Sequence, residues 1–321
     1  MRQFASLAAA ATVLACLVAC SSTGPRHDQP DPRTLVQPIE VRLNVPQADL
    51  YVHYDPSWKS QSVHLGLCLL VNSLLCLAPT GLVQHIDADA IKEAETRARP
   101  LKDAIADVPF ADRFIQVLST ELTSNDVRVQ TTQVVRSTTT SWMNEEAFGA
   151  STASSVLFMG VRYSLSPDFS RFEVVTRTEV FLRSEAARQA FGLKRSLADD
   201  PIRGSVLSPT NALYKTDFHY EAVLAASSKV AEENAQRWQS DGGRLIREAI
   251  LGGIEQAARS VAHDFGTTFW SAPPSLPRIT TREGKNGRLI REIPGKGRLL
   301  KLDNGGLLFE ATLTTLEQAA R

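Results

Sequence analysis

The sequence predicts an α+β fold: an antiparallel sheet with helices packed on one face, plus a small C-terminal β-meander. Three observations predict it. Segments with a two-residue apolar/polar alternation cluster between residues 127 and 224, two of them joined as a hairpin. Apolar residues recur at helical spacing on either side, from Phe114 to Leu122 and from Leu245 to Phe265. Three glycine-led repeats follow, "GRLIREI" at Gly287, "GRLLKL" at Gly297 and "GGLLFEA" at Gly305. The order helix, strand, hairpin, strand, helix is that of a layered α+β domain.

"IEVRLNV" from Ile39 alternates as a half-buried strand, and "LYVHYD", Leu50 to Asp55, is a second strand after the turn at Pro46–Asp49. Asp87 and Asp89 suit a helix N-terminus, and Pro100 and Pro109 are expected to break the helical region into pieces. In its last piece Phe114, Val117, Leu118 and Leu122 share a face, before Asn125–Asp126 ends it and "VRVQTTQVV" reads as a strand. "SVLFMGVRYSL" and "RFEVVTRTEVFL" form the hairpin around Ser166–Ser170. Residues 184–212 read as a long loop with a short helix. In "LYKTDFHYEAVL", Tyr214, Thr216, Phe218, Tyr220 and Ala222 point inward and Lys215, Asp217, His219 and Glu221 outward. Ser227–Ser228 cap a helix toward Trp238, Asp241–Gly243 interrupts it, and a second helix runs from Arg244 to about Phe265. Its Gly252–Gly253 pair admits close approach of another element. The turns before the three repeats supply the left-handed residues of tight hairpins, giving a meander over 278–313.

The chain has 321 residues, 43% of them hydrophobic, with Lys+Arg 35 against Asp+Glu 35. It is long enough for a sizeable core and carries no overall bias toward nucleic acid. The first residues have their own character. "MRQFASLAAAATVLACLVAC" holds one charge at Arg2, then an apolar run too short to span a membrane comfortably. It closes on Leu17-Val18-Ala19-Cys20, which resembles the lipobox of bacterial lipoprotein precursors. The resemblance implies a signal peptide over 1–19, removal of Cys16 with it, and acylation of Cys20 as a multi-chain membrane anchor. Ser21 in the next position implies an outer-membrane, periplasm-facing location in a Gram-negative envelope. "SSTGPRHDQPDPRTLVQP" offers nothing to bury, so 20–38 is expected to be a disordered tether before an envelope domain over 39–270.

That domain contains "VHLGLCLLVNSLLCLAPTGLV", Val63 to Val83, without a charge. Three readings stay open: a buried helix or hairpin in the domain or an oligomer interface, a surface that enters a membrane, and a single spanning helix. Pro79 and the scattered glycines weigh against the last. A hairpin turning at Asn72 would face Cys68 with Cys76, and an oxidising compartment would allow a disulfide, whereas a continuous helix would hold them about 12 Å apart along its axis.

Catalytic signatures are absent from the sequence: no HExxH, no Walker loop, no G-x-S-x-G, and no G-x-G-x-x-G after a strand. His85, Asp87 and Asp89 read as an acidic helix start in preference to a metal loop. His263–Asp264 near Ser260 has the residue types of a hydrolytic triad but lies on a helix. No cofactor is expected. Between Arg278 and Asp303, eight Lys/Arg stand against Glu283, Glu292 and Asp303. This basic meander points to an anionic partner, a lipid phosphate, an acidic glycan or a protein face, with Arg288, Arg291, Arg298 and Lys301 as the contact residues. The alternative is a solvated sheet whose cations guard its edge.

The order of elements looks loosely like the periplasmic domains of curli-secretion-type, penicillin-binding-protein-activator and Tol-system proteins. The matching residues are Phe114–Leu122, Val127–Val129, Val156–Leu182 and Leu245–Phe265. Two functions follow as expectations. The first is a non-enzymatic lipid-anchored adaptor, complex subunit or activator of envelope partners. The second is an oligomeric, membrane-inserting or secretion-channel-like lipoprotein that uses Val63–Val83.

Overall fold

The computed structural model describes residues 35–47, 49–53, 81–137, 143, 145–193, 207, 211–270, 276–282 and 284–313, with the side chains of 81–89 and 267–270 excepted. The expected signal peptide, Cys20, Cys68, Cys76 and residues 63–80 of the apolar stretch lie outside the described residues. Gly81–Val83, its last three residues, begin a helix.

The sheet is mixed and mostly antiparallel. Its strands are β1 (Ile39–Asn44), β2 (Tyr51–Val52), β3 (Val129–Val135), β4 (Ser155–Leu165), β5 (Arg171–Leu182), β6 (Tyr214–Val223), β7 (Arg278–Thr280), β8 (Asn286–Ile293), β9 (Gly297–Leu302) and β10 (Leu307–Ala311). The helices are α1 (Gly81–Ile105), α2 (Phe110–Ser124), α3 (Glu145–Ala150), α4 (Glu185–Ala190) and α5 (Ala231–Trp270). The strand order is β3-β1-β4-β5-β6-β10-β9-β8-β7, with β2 beside β4. The expected hairpin is β4–β5, and β6 continues it antiparallel. Three features depart from an all-antiparallel sheet. β1 runs parallel to both β3 and β4, β10 runs parallel to β6, and the short β2 runs parallel to β4.

The second parallel seam corrects the expected domain division. The meander is not a separate unit, because β10 extends the central sheet through β6. Phe309 of β10 stacks on Tyr220 of β6, with ring centroids 5.7 Å apart and planes 8° apart.

The folded body also begins before Ile39. Val36 is fully buried and its carbonyl accepts a 2.6 Å hydrogen bond from Ser155 Oγ, so the last residues of the expected tether belong to the body. β1 is buried on both faces, not on one. It lies between two parallel neighbours, and its polar side chains are satisfied locally. Arg42 pairs with Glu40 at 2.5 Å, and Asn44 bonds both the backbone N–H and the carbonyl of Ser137.

Pro100 does not break α1. It sits on the exposed side, where the carbonyl it leaves without a donor faces water, while Ala94, Ala98, Leu101 and Ile105 hold the buried side at helical spacing. Pro109 instead occupies the N-cap of α2. α2 buries Phe110, Phe114, Leu118 and Leu122, and Phe110 stacks on Tyr163 of β4 at 4.1 Å.

α5 carries the expected interruption. Asp241, Gly242 and Gly243 are all left-handed, and Gly243 lies against Ala104 of α1 so closely that a Cβ there would be 2.5 Å from the Ala104 Cβ. Beyond it, Leu245, Ala249, Ile250, Ile254, Ala257, Val261 and Phe265 are all buried, as their spacing predicts. Gly252 and Gly253 meet β5 and β6 at Tyr220, Val174 and Phe172. Glu221 is buried against expectation, since its rung runs from Glu173 of β5 to Glu310 of β10 inside the widened sheet.

A Cβ on Gly253 would stand 2.6 Å from Val174 Cγ2, whereas nothing lies within 4 Å of one on Gly149. Gly253→Ala should therefore cost about 1–3 kcal/mol in denaturant melts. Gly149→Ala should be neutral or stabilising by about 0.4–1 kcal/mol.

Candidate functional site

The basic residues of the meander are distributed by register between the two faces of the sheet. Lys301 of β9 pairs with Arg288 of β8, which in turn pairs with Arg278 of β7. These three share a face, because directly opposed residues in an antiparallel ladder project to the same side. The face is the one toward α5, since Lys301 Nζ reaches the Asp264 carboxylate at 3.0 and 3.3 Å. Arg291 would point to the other side in a regular strand, three residues from Arg288. It does not, because the β8–β9 register shifts between Leu289 and Arg291, and the bulge sets Arg291 opposite Leu299 on the face of Lys301. Arg298, three residues before Lys301 in regular β9, projects to the opposite face.

The four expected contact residues are thus not one patch. Arg298 donates through Nε to Glu310 Oε2 at 2.6 Å, and Glu310, with 2% of its side chain exposed, also accepts from the Arg282 backbone N–H at 2.6 Å. Arg298 is the counter-ion of a buried carboxylate. Lys301 is likewise engaged within the fold: Asp264 receives it together with the Tyr214 hydroxyl at 2.7 Å. Arg278 pairs with Asp303 at 3.1 Å, both exposed. Arg288 and Arg291 are exposed and carry no ion pair among the described residues. The candidate interaction face is therefore Arg278, Arg288 and Arg291, on β7 and β8 at the end of the sheet, bordered by Lys301.

The structure also places the other candidates. His263 is exposed while Ser260 is buried, and Asp264 is held by Tyr214 and Lys301, so the three are not arranged as a triad. His85, Asp87 and Asp89 lie in α1. Among the described residues no three His, Cys, Asp or Glu side chains are grouped to hold a metal. No described helix is long and apolar enough to cross a membrane. A cavity of about 150 Å³ on the other face is lined by Asp217, His219, Lys285, Leu302, Asn304, Gly306 and Leu308.

Sequence reasoning missed Glu310, Asp264 and Tyr214 as partners of the meander's cations. It also missed the bulge, whose trace is the two adjacent like pairs Leu289–Ile290 and Arg291–Glu292 that break the alternation of β8. That trace is not diagnostic, because Leu299–Leu300 is a similar pair in regular β9.

Burial raises three phenols of the body. Tyr214 is raised well above the usual tyrosine value of 10, first by burial and then by the Asp264 charge. Burial raises Tyr220 as well, and Tyr163 to about 12. No family model matches the chain, and no curated protein matches it.

Removing Arg298 leaves Glu310 buried without its cation. Arg298→Ala should lower stability by about 3 kcal/mol, whereas exposed Arg288→Ala should stay within about 0.5 kcal/mol in the same melts. The raised phenols fix the sign of the alkaline response. The folded state favours the protonated form, so its contribution is complete below the unfolded value near 10 and is lost as pH rises above it. Absorbance at the phenolate band should show Tyr214 and Tyr220 ionising only with alkaline unfolding, and Tyr214→Phe should shift that unfolding to higher pH.

Proposed function

We propose that this chain is a lipid-anchored protein of a bacterial envelope that works by binding, as an adaptor, complex subunit or activator. Acylated Cys20 holds it at the outer membrane, facing the periplasm, and the body presents the helix-side arginine face to an anionic component of the envelope. The observation that carries the reading is the pair Arg288 and Arg291, brought to one face by the β8 bulge and left without a carboxylate among the described residues. The lipobox-like Leu17-Val18-Ala19-Cys20 supports the anchor. The anchor would act through effective concentration, turning each encounter with a neighbouring component into a near-intramolecular event.

The test uses the mature chain with Cys20→Ser, so that acyl chains do not dominate. Isolated envelope fractions should retain it in a salt-sensitive way, and Arg288→Glu/Arg291→Glu should lower retention several-fold at an unchanged melting midpoint. Equal retention of the two proteins would remove this face from the function.

A further inference from the structure

We propose that the arginine face is a membrane-docking surface, taking the phosphate groups of anionic lipids in the membrane that carries the chain's own anchor. The inference rests on the lipid-anchored reading and names the anionic component.

The register sets like charges side by side. Arg278 and Arg288 stand directly opposite each other across β7 and β8, and Lys301 is the next residue on the same rung. Like charges in directly opposed positions destabilise a sheet. Asp303 and Asp264 offset Arg278 and Lys301, but no described carboxylate pairs with Arg288 or Arg291. A bound anion removes the repulsion that the fold leaves in place. Neighbouring strands set the backbones that carry these cations about 5 Å apart, and guanidinium forks grip phosphate oxygens in bidentate fashion. Cations drawn from two adjacent strands suit a layer that presents many phosphates at one height.

Chain length gives the reach. The folded body starts at Val36, which is fixed to β4 by Ser155. From β1 to β8 the strand order has six steps, or about 29 Å across the sheet. Residues 21–34 lie between the anchor and the body, and a stretch of that length spans at most about 50 Å. The face therefore lies within range of the plane in which Cys20 is held. Docking there gives the chain a second membrane signal beside its acyl chains.

The experiment is co-sedimentation of the mature Cys20→Ser chain with vesicles. One set is phosphatidylcholine alone and the other contains phosphatidylglycerol. The protein should sediment with the anionic vesicles only and be released by salt. Each arginine near such a surface contributes about five-fold, so Arg288→Ala/Arg291→Ala should bind roughly 25-fold more weakly. Because both side chains are exposed, the variant should keep its melting midpoint, and the salt dependence of the unmodified sequence tests the same contact without substitution. Equal sedimentation with both vesicle types, or an unchanged variant, overturns the proposal. So does tighter binding to polyglutamate than to vesicles, which would assign the face to an acidic polypeptide. If envelope fractions discriminate the variant while pure vesicles do not, the binding reading stands and the lipid assignment falls. The mass of the wild-type mature chain reports acylation of Cys20 separately, so a failed anchor is recognised on its own.

Discussion

The rest of the fold depends on the contact that Tyr220 makes in two directions. One ring edge and the hydroxyl meet α5 where Gly252 and Gly253 leave room, and its face stacks on Phe309 of β10. The glycine pair lets a helix lie directly on the sheet, and the stack joins the meander to the strand at the middle of the sheet. Without the first, α5 stands off from β5 and β6 and the buried side from Leu245 to Phe265 loses its floor. Without the second, the β6–β10 seam keeps its backbone hydrogen bonds but loses the aromatic pair that closes it.

The same seam decides what the charges of the meander can do. Once β10 sits beside β6, Glu310 is inside the sheet and claims Arg298, and Lys301 comes within reach of Asp264 on α5. Two cations that look like surface charge in the sequence become structural counter-ions. Arg288 and Arg291 lie one strand farther out, beyond the reach of those carboxylates, and there charge is left for contact with something else. Distance from the seam separates the structural cations from the available ones.

Most of the strands and the apolar side of α5 were legible because they obey simple periods: two in Tyr214–Ala222, and helical spacing from Leu245 to Phe265. Gly252–Gly253 was legible as a point of close approach for the same local reason. What escaped was long-range. The parallel pairing of β1 with β3 and β4, and of β10 with β6, joins strands far apart in sequence, and no local pattern records it. Pro100 misled because its effect depends on whether the freed carbonyl faces water, which is a property of the packing. The candidate face was half legible. Composition marked the meander as basic, but the faces were set by a one-residue bulge and the pairing by acids on α5 and β10.

The parallel seam also has a consequence in time. β6 ends at Val223 and its neighbour β10 begins at Leu307, with all of α5 and three strands of the meander between them. During synthesis, β6 emerges with one edge unpaired, carrying the apolar side chains of Phe218 and Tyr220, and that edge stays open until β10 arrives. Contacts so distant in sequence form late and slowly, and an open apolar edge invites pairing with another chain. The interval between β6 and β10 is therefore the window in which this protein most needs to be shielded from its own copies, and α5, laid over Tyr220 by its glycine pair, is the element available to cover that side first.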